Sequence, residues 1–227
     1  MRLTTTFPIP AAPVSMNHRS RVLTMGSCFA ASMGSRLSKL PLEVMTQPFG
    51  TLFHPFAISR ALSGEVSEEV YEQGGYFLHP DYHSIFTATS SADLLEDIRS
   101  VATEVATFAA SSDFIILTWG TSFSYFDKHL NKTVANCHKM PAYRFEKRLS
   151  TVEEIVSNFG SLISTLPSTK QVILTVSPVR HTKDGMTENQ VSKSTLRVAA
   201  DIVSKQFENV HYFPAYEIML DELRDYR

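Results

Sequence analysis

Apolar residues along this chain fall either in short continuous runs or in longer stretches with a helical period. Arg21-Val-Leu-Thr-Met25 is a short apolar run closed by Gly26, the pattern of a buried strand. From Phe29 to Leu40 the side chains of Phe29, Met33 and Leu37 recur every fourth residue, which predicts a helix that Pro41 stops. Glu43 to Thr46 reads as a second short strand and Gln47 to His54 as a loop. Pro55 suits the first turn of a helix running toward Leu62. Gly74 to Ser90 is rich in aromatic and turn residues and is expected to be loop with short strand pieces. Leu94, Ile98, Val101, Val105 and Phe108 mark one face of an amphipathic helix. Asp113 to Trp119 is then a buried strand ending at Gly120-Thr121-Ser122.

Ser150 with Glu153 resembles a capping box and opens a helix to about Leu166. Gln171 to Val176 is a further strand, followed by the loop Ser177-Pro-Val-Arg-His181. Val191, Thr195, Val198, Ile202 and Val203 predict the next helix, Asn209 to Phe213 a strand, and Tyr216 onward a helix. Helices alternating with continuous apolar strands argue for an α/β domain whose parallel sheet is covered on both faces. Ligands of such sheets sit at the carboxyl ends of the strands. Three loops leave strand ends here: Gly26-Ser27-Cys28, Gly120-Thr121-Ser122 and Ser177 to His181. With no repeat or composition break, residues 21–227 read as one domain. Residues 1–20, broken by Pro8, Pro10 and Pro13, read as an extended arm lying over it.

The 227 residues are 43% hydrophobic, enough for a sizeable core. A formal charge of -2, without a basic stripe, disfavours nucleic acid and anionic membrane as partners. No apolar run approaches a membrane span, and the N-terminus lacks the apolar core of a secretory signal. The two cysteines, Cys28 and Cys137, are too few for a disulfide framework, so a reduced, cytoplasmic setting is expected.

The turn after the first strand carries the chemistry. A glycine ending a strand lets the backbone turn sharply, and the next residues fall at a helix N-terminus, where unpaired N–H groups and the positive end of the helix dipole converge. A thiol there is favoured as thiolate, and the same N–H groups stabilise an oxyanion. Cys28 stands two residues after Gly26, with Ser27 between them; the bland alternative makes Cys28 a small buried hydrophobe and Ser27 a helix cap.

Gly26-Ser27-Cys28-Phe29-Ala30 resembles the signature of the GSCFA family, whose relatives are similar to the SGNH (GDSL-type) hydrolases and acyltransferases. Pro48 to Phe53, Trp119-Gly-Thr121, Ala135 to Lys139, Ser177 to His181 and Glu188-Asn-Gln190 resemble further blocks of that family. The resemblance implies a three-layer α/β/α fold, SGNH- or flavodoxin-like, with a mostly parallel central sheet. It implies Cys28 as nucleophile, with Ser27 as the rival if the register shifts by one. Gly50 matches the glycine that offers an oxyanion N–H. Ser122 stands where the superfamily has an asparagine, a place Asn136 could fill in space. The superfamily's base comes from a terminal Asp-x-x-His block, which is absent before Asp225-Tyr226-Arg227. The expectation is therefore a chain truncated at that end, or a base elsewhere: His181 first, His138 next.

Arg180 and His181 suit an anionic or hydroxylated substrate, or else anchor their loop. His79 and His83 flank Pro80, which makes a helical zinc pair improbable, and no paired cysteines support a metal site. No phosphate-loop or dinucleotide motif is present, so no cofactor is expected. The reading is an ester hydrolase or O-acyltransferase acting on an O-acyl glycan or small metabolite, O-acetyl esters among them. The alternative is a binding module that retains the pocket. Oligomeric state is not legible.

Overall fold

A computed structural model of the chain describes residues 6–9, 11 and 13–224. The Asp225-Tyr226-Arg227 terminus lies outside these residues, as does part of the expected N-terminal arm. In chain order, β1 (Arg21–Gly26) leads through α1 (Cys28–Leu37) to β2 (Glu43–Thr46). After α2 (Pro55–Ser63) come β3 (Tyr71–Gln73), β4 (Tyr76–Leu78) and β5 (Thr87–Ala88), and α3 (Ser91–Ser111) then feeds β6 (Phe114–Trp119). Next are β7 (Phe123–Asp127), β8 (Lys132–Val134), β9 (Phe145–Leu149) and α4 (Val152–Thr165). The chain closes with β10 (Gln171–Val176), α5 (Met186–Gln206), β11 (Val210–Tyr212) and the short α6 (Ala215–Glu217).

Five strands form one parallel sheet in the order β2-β1-β6-β10-β11. From β2 the chain crosses over β1 to reach β6, so the strand order reverses between β1 and β6. Sheets wound this way bind ligands at that switch point, beyond the carboxyl ends of the two strands. Alternate side chains go to opposite faces. Leu23, Met25, Ile115, Leu117 and Trp119 enter the large core with residues of α2, α3, α4 and α5. Trp119 meets Phe159 of α4 edge-on, ring centres 4.8 Å apart. Val22, Phe114 and Ile116 face the other way, toward Leu37 of α1 and Met16. The result is a three-layer α/β/α domain.

Two helices turn a different face inward from the one their apolar spacing suggests. In α1 the buried residues are Ala30 and Gly34, with Phe29, Met33 and Leu37 flanking them. The helix lies so close to the sheet that a Cβ on Gly34 would sit 2.3 Å from Thr46 Oγ1, so only the smallest residues fit there. In α5 the buried stripe is Asn189, Ser192, Lys193, Leu196, Ala199, Ala200 and Val203, whereas Val191 and Val198 are exposed. The α4 cap is one residue later than its sequence suggests: Thr151 and Glu154 form the reciprocal capping box. The chain after Tyr216 makes only α6 and a π-type turn over Ile218–Glu222.

Two small antiparallel sheets are spliced into the connections, β3-β4-β5 between α2 and α3, and β8-β7-β9 between β6 and α4. Only strand pieces of the first are legible in the sequence. Buried polar contacts latch the two together. Tyr71 Oη donates to Asp127 Oδ2 at 2.8 Å, and Arg144 Nε donates to both oxygens of the same carboxylate. Lys132 of β8 reaches Asp81 at 2.9 Å, which also pairs with Arg60 of α2. Although burial opposes it, the Arg144 and Tyr71 hydrogen bonds pull the Asp127 carboxyl down to about 2.

Candidate active site

The Gly26-Ser27-Cys28 turn lies at the carboxyl end of β1, beside β6, at the switch point. Gly26 has φ +130°, and a Cβ on it would stand 2.2 Å from the Thr118 carbonyl oxygen; only glycine lets β1 approach β6 this closely. Ser27 N donates to Thr118 O at 3.0 Å. Its hydroxyl contacts Thr118 Oγ1 at 2.9 Å and caps α1 by accepting from Phe29 N at 3.3 Å. Ser27 is fully buried and committed to structure. Cys28 is the first residue of α1 and is half-buried, carrying a free thiol. Its N–H, like that of any helix start, has no intrahelical acceptor.

Gln47 holds the turn from beneath. Its amide nitrogen donates to Gly26 O at 2.9 Å and Ser27 O at 2.7 Å, and its Oε1 accepts from Gly26 N at 3.0 Å. Gln47 sits at φ +48°, a conformation that a non-glycine residue adopts at a cost. Nothing in the sequence pattern marks it beyond its place just after β2, the strand next to β1 in the sheet.

Lys193 is the second residue that sequence reasoning missed. It projects from the buried stripe of α5 and is 0% exposed. Its ammonium donates to Gly120 O and Ser177 O, each at 2.7 Å, tying together the loops after β6 and β10. Among the described residues no carboxylate pairs with this ammonium. Burial lowers its pKa from 10.5 to about 8, with the Cys28 thiol opposing the shift and Arg180 adding to it. A lysine at helical spacing with Leu196, Ala200 and Val203 is the signal that could have revealed it.

His181 lies in the β10 loop with its ring edge-on to Phe53, centres 5.0 Å apart. Its Nε2 is buried and has no protein partner. Burial and the Lys193 charge lower its pKa from 6.5, while Asp184 opposes them, so the imidazole is neutral at pH 7. Arg180 is turned toward α5 and α6, with Nη2 at 3.1 Å from Gln190 Oε1 and 3.4 Å from Tyr216 Oη.

Three expected oxyanion or base residues are engaged elsewhere. The Gly50 N–H donates to Gln47 O at 2.8 Å, closing a tight turn. Gly50 has φ +71° and abuts His83, whose Cβ would lie 2.6 Å from an added Cβ. Ser122 is fully buried, its hydroxyl donating to Ser192 of α5; it fastens a helix rather than facing the turn. His138 is buried under the β3-β4-β5 sheet, with Nε2 at 2.8 Å from His79 O. Asn136 differs: its Oδ1 accepts from His138 N at 2.9 Å, and its Nδ2 has no hydrogen-bond partner among the described residues. It lines a cavity of about 550 Å³ with Phe53, Thr51 and Cys137. The structure thus gathers Cys28, Lys193 and His181 at one end of the sheet and places Asn136 in the adjoining cavity.

His79 uses both ring nitrogens on Ser67 O and Asp81 N. Among the described residues no group of three His, Cys, Asp or Glu side chains could hold a metal ion. Nor is any helix among them long and apolar enough to cross a membrane.

Strand order and switch point define a flavodoxin-like α/β domain with a cysteine at the helix start beyond its first strand. Comparison with known families places it: the GSCFA family model matches residues 21–227, and the chain belongs to that family. No curated protein and no solved structure matches it.

Proposed function

We propose that this chain is an SGNH-like ester hydrolase or O-acyltransferase with Cys28 as nucleophile, acting on an O-acyl glycan or small metabolite. The observation that carries this reading is the division of roles in the turn. Ser27 is buried as a cap, whereas Cys28 presents a half-exposed thiol at a helix start over the switch point. The Cys28 sulfur attacks the acyl carbonyl carbon, and the N–H groups of the helix start, with Asn136 Nδ2, receive the oxyanion. As the C–O bond breaks, the proton that the Cys28 thiol gave up on attack passes through His181 to the departing oxygen, leaving a thioester. Water or a sugar hydroxyl then attacks the thioester, His181 takes the proton, and the Cys28 sulfur is released.

A second reading, a ligand-binding module, draws on the engagement of Gly50 and Ser122, which leaves fewer donors for an oxyanion. Incubation with an activated acetyl ester, followed by peptide mass spectrometry, separates the two. The enzyme reading expects an acetyl adduct on Cys28 that is missing from Cys28→Ala. An adduct on Ser27, or none at either residue, overturns it.

A further inference from the structure

The 550 Å³ cavity beside the site has a chemical character of its own. Its walls include the apolar side chains of Phe53, Tyr125, Met140 and Phe145, while Lys139, Lys147 and Lys183 stand around it and no carboxylate lines it. Lys147 is neutralised by Asp184 at 2.5 Å. Among the described residues neither Lys139 nor Lys183 has a carboxylate partner. The rim is built rather than loose. Ala135 N and Asn136 N both donate to Pro80 O, and Met140 N donates to Cys137 O. His138 and Lys139 in succession hold positive φ, +46° and +58°, a strained arrangement of the kind that surrounding contacts must enforce. Phe53 joins this cavity to the site, since its ring also meets His181 and its carbonyl accepts from Gly120 N at 2.7 Å.

We propose that this cavity binds a monoanionic ligand with a compact apolar body, its carboxylate held between Lys139 and Lys183. On the acyl-transfer reading above, that ligand is part of the substrate, so the enzyme selects esters of acidic molecules over neutral ones. Binding itself does not depend on that reading. Two ammonium groups on the rim of a recess with apolar walls, neither with a carboxylate partner among the described residues, favour an anion over its neutral isostere.

Cys137 supplies the reporter. It lines the cavity, and in Cys28→Ala it is the one remaining cysteine of the two in the chain. Burial, with the Asp127 charge, pushes its thiol up to about 11, so its alkylation is followed at about pH 9, where more of the reactive thiolate is present than at neutral pH. Phenylacetate and its neutral isostere phenylacetamide are compared for their ability to slow iodoacetamide labelling of Cys137 in the Cys28→Ala protein. Phenylacetate is expected to protect at about tenfold lower concentration. The double variant Lys139→Gln, Lys183→Gln, both exposed positions, is expected to abolish that difference, each protein being referred to its own unliganded rate. Equal protection by both compounds, protection by neither, or a preference that survives the double variant overturns the proposal. Acetyl labelling of Cys28 is scored separately, so protection at Cys137 without an adduct at Cys28 would sink the acyl-transfer reading and leave the anion site standing.

Discussion

Replacing Lys193 with Met probes the buried ammonium at the heart of the site. The variant keeps the aliphatic stem but leaves Gly120 O and Ser177 O without their donor. Each unsatisfied buried carbonyl costs about 1–3 kcal/mol, and relief from burying a charge offsets part of that. The pH dependence is the sharper test. Folding lowers the pKa of this group from 10.5 to about 8, so between these values the unfolded chain binds more protons than the folded one. Wild-type stability therefore rises with pH over this window, by about 2 kcal/mol from pH ~7 to ~9.5. The Met variant lacks the rise. Cys137 and Tyr82, pushed up to about 11 and about 12 largely by burial, weaken the fold in strong alkali, but they do so in both proteins and cancel in the difference. Urea unfolding at the two pH values is the assay. With a slope of about 2 kcal/mol per molar, the gap between wild-type and variant midpoints widens by about 1 M. A gap that stays constant would mean that the ammonium titrates as it does in the unfolded chain, and the electrostatic account of Lys193 would fail.

Gln47→Leu removes three hydrogen bonds to the backbone of Gly26 and Ser27. It is expected to cost about 1–3 kcal/mol and, as an order-of-magnitude expectation, to slow Cys28 alkylation about tenfold by loosening the helix start. Unchanged labelling would show that the turn holds its shape unaided. His54 caps α2 with its Nδ1, and burial lowers its pKa from 6.5 to about 4. Stability is thus full above pH ~6.5 and falls toward pH 4, by about 2 kcal/mol at pH ~4.5. His54→Gln should flatten that acid limb in urea titrations, and an equally steep limb would refute the assignment.

The layer architecture was legible because every central strand is a continuous apolar run bounded by a helix with a clear stop. The Gly26-Ser27-Cys28 turn was legible as a strand-to-helix junction because glycine after a strand has a local cause. What stayed hidden depended on distance in space. The β7-β8-β9 sheet is built from short strands, and its β9 segment Phe145–Leu149 is mostly exposed and charged, so no apolar period announces it. The inward face of α5 was hidden because Val191 and Val198, the residues that suggest a stripe, face solvent, while alanines and a lysine face the core. Reading the wrong stripe concealed Lys193 with it. The resemblance pointed to Gly50 and Ser122 as oxyanion donors, yet their hydrogen bonds go to Gln47 and Ser192, partners that no local pattern can reveal.

The latch of Tyr71, Arg144 and Asp127 separates the domain into an inner frame and an outer cuff. The frame of parallel strands sets the Gly26-Ser27-Cys28 turn, while both spliced-in sheets are fastened to one another through the Asp127 carboxylate, the Lys132–Asp81 pair and the backbone bonds to Pro80 O. The cuff's β3–β4 hairpin ends in Gly74 and Gly75, which border open space. Cargo, labels or longer loops attached at that tip would point away from the parallel frame but stand beside the cavity rim, because Gln73 next to the tip donates to Lys139 O, so such an attachment reports on the cuff rather than on the frame.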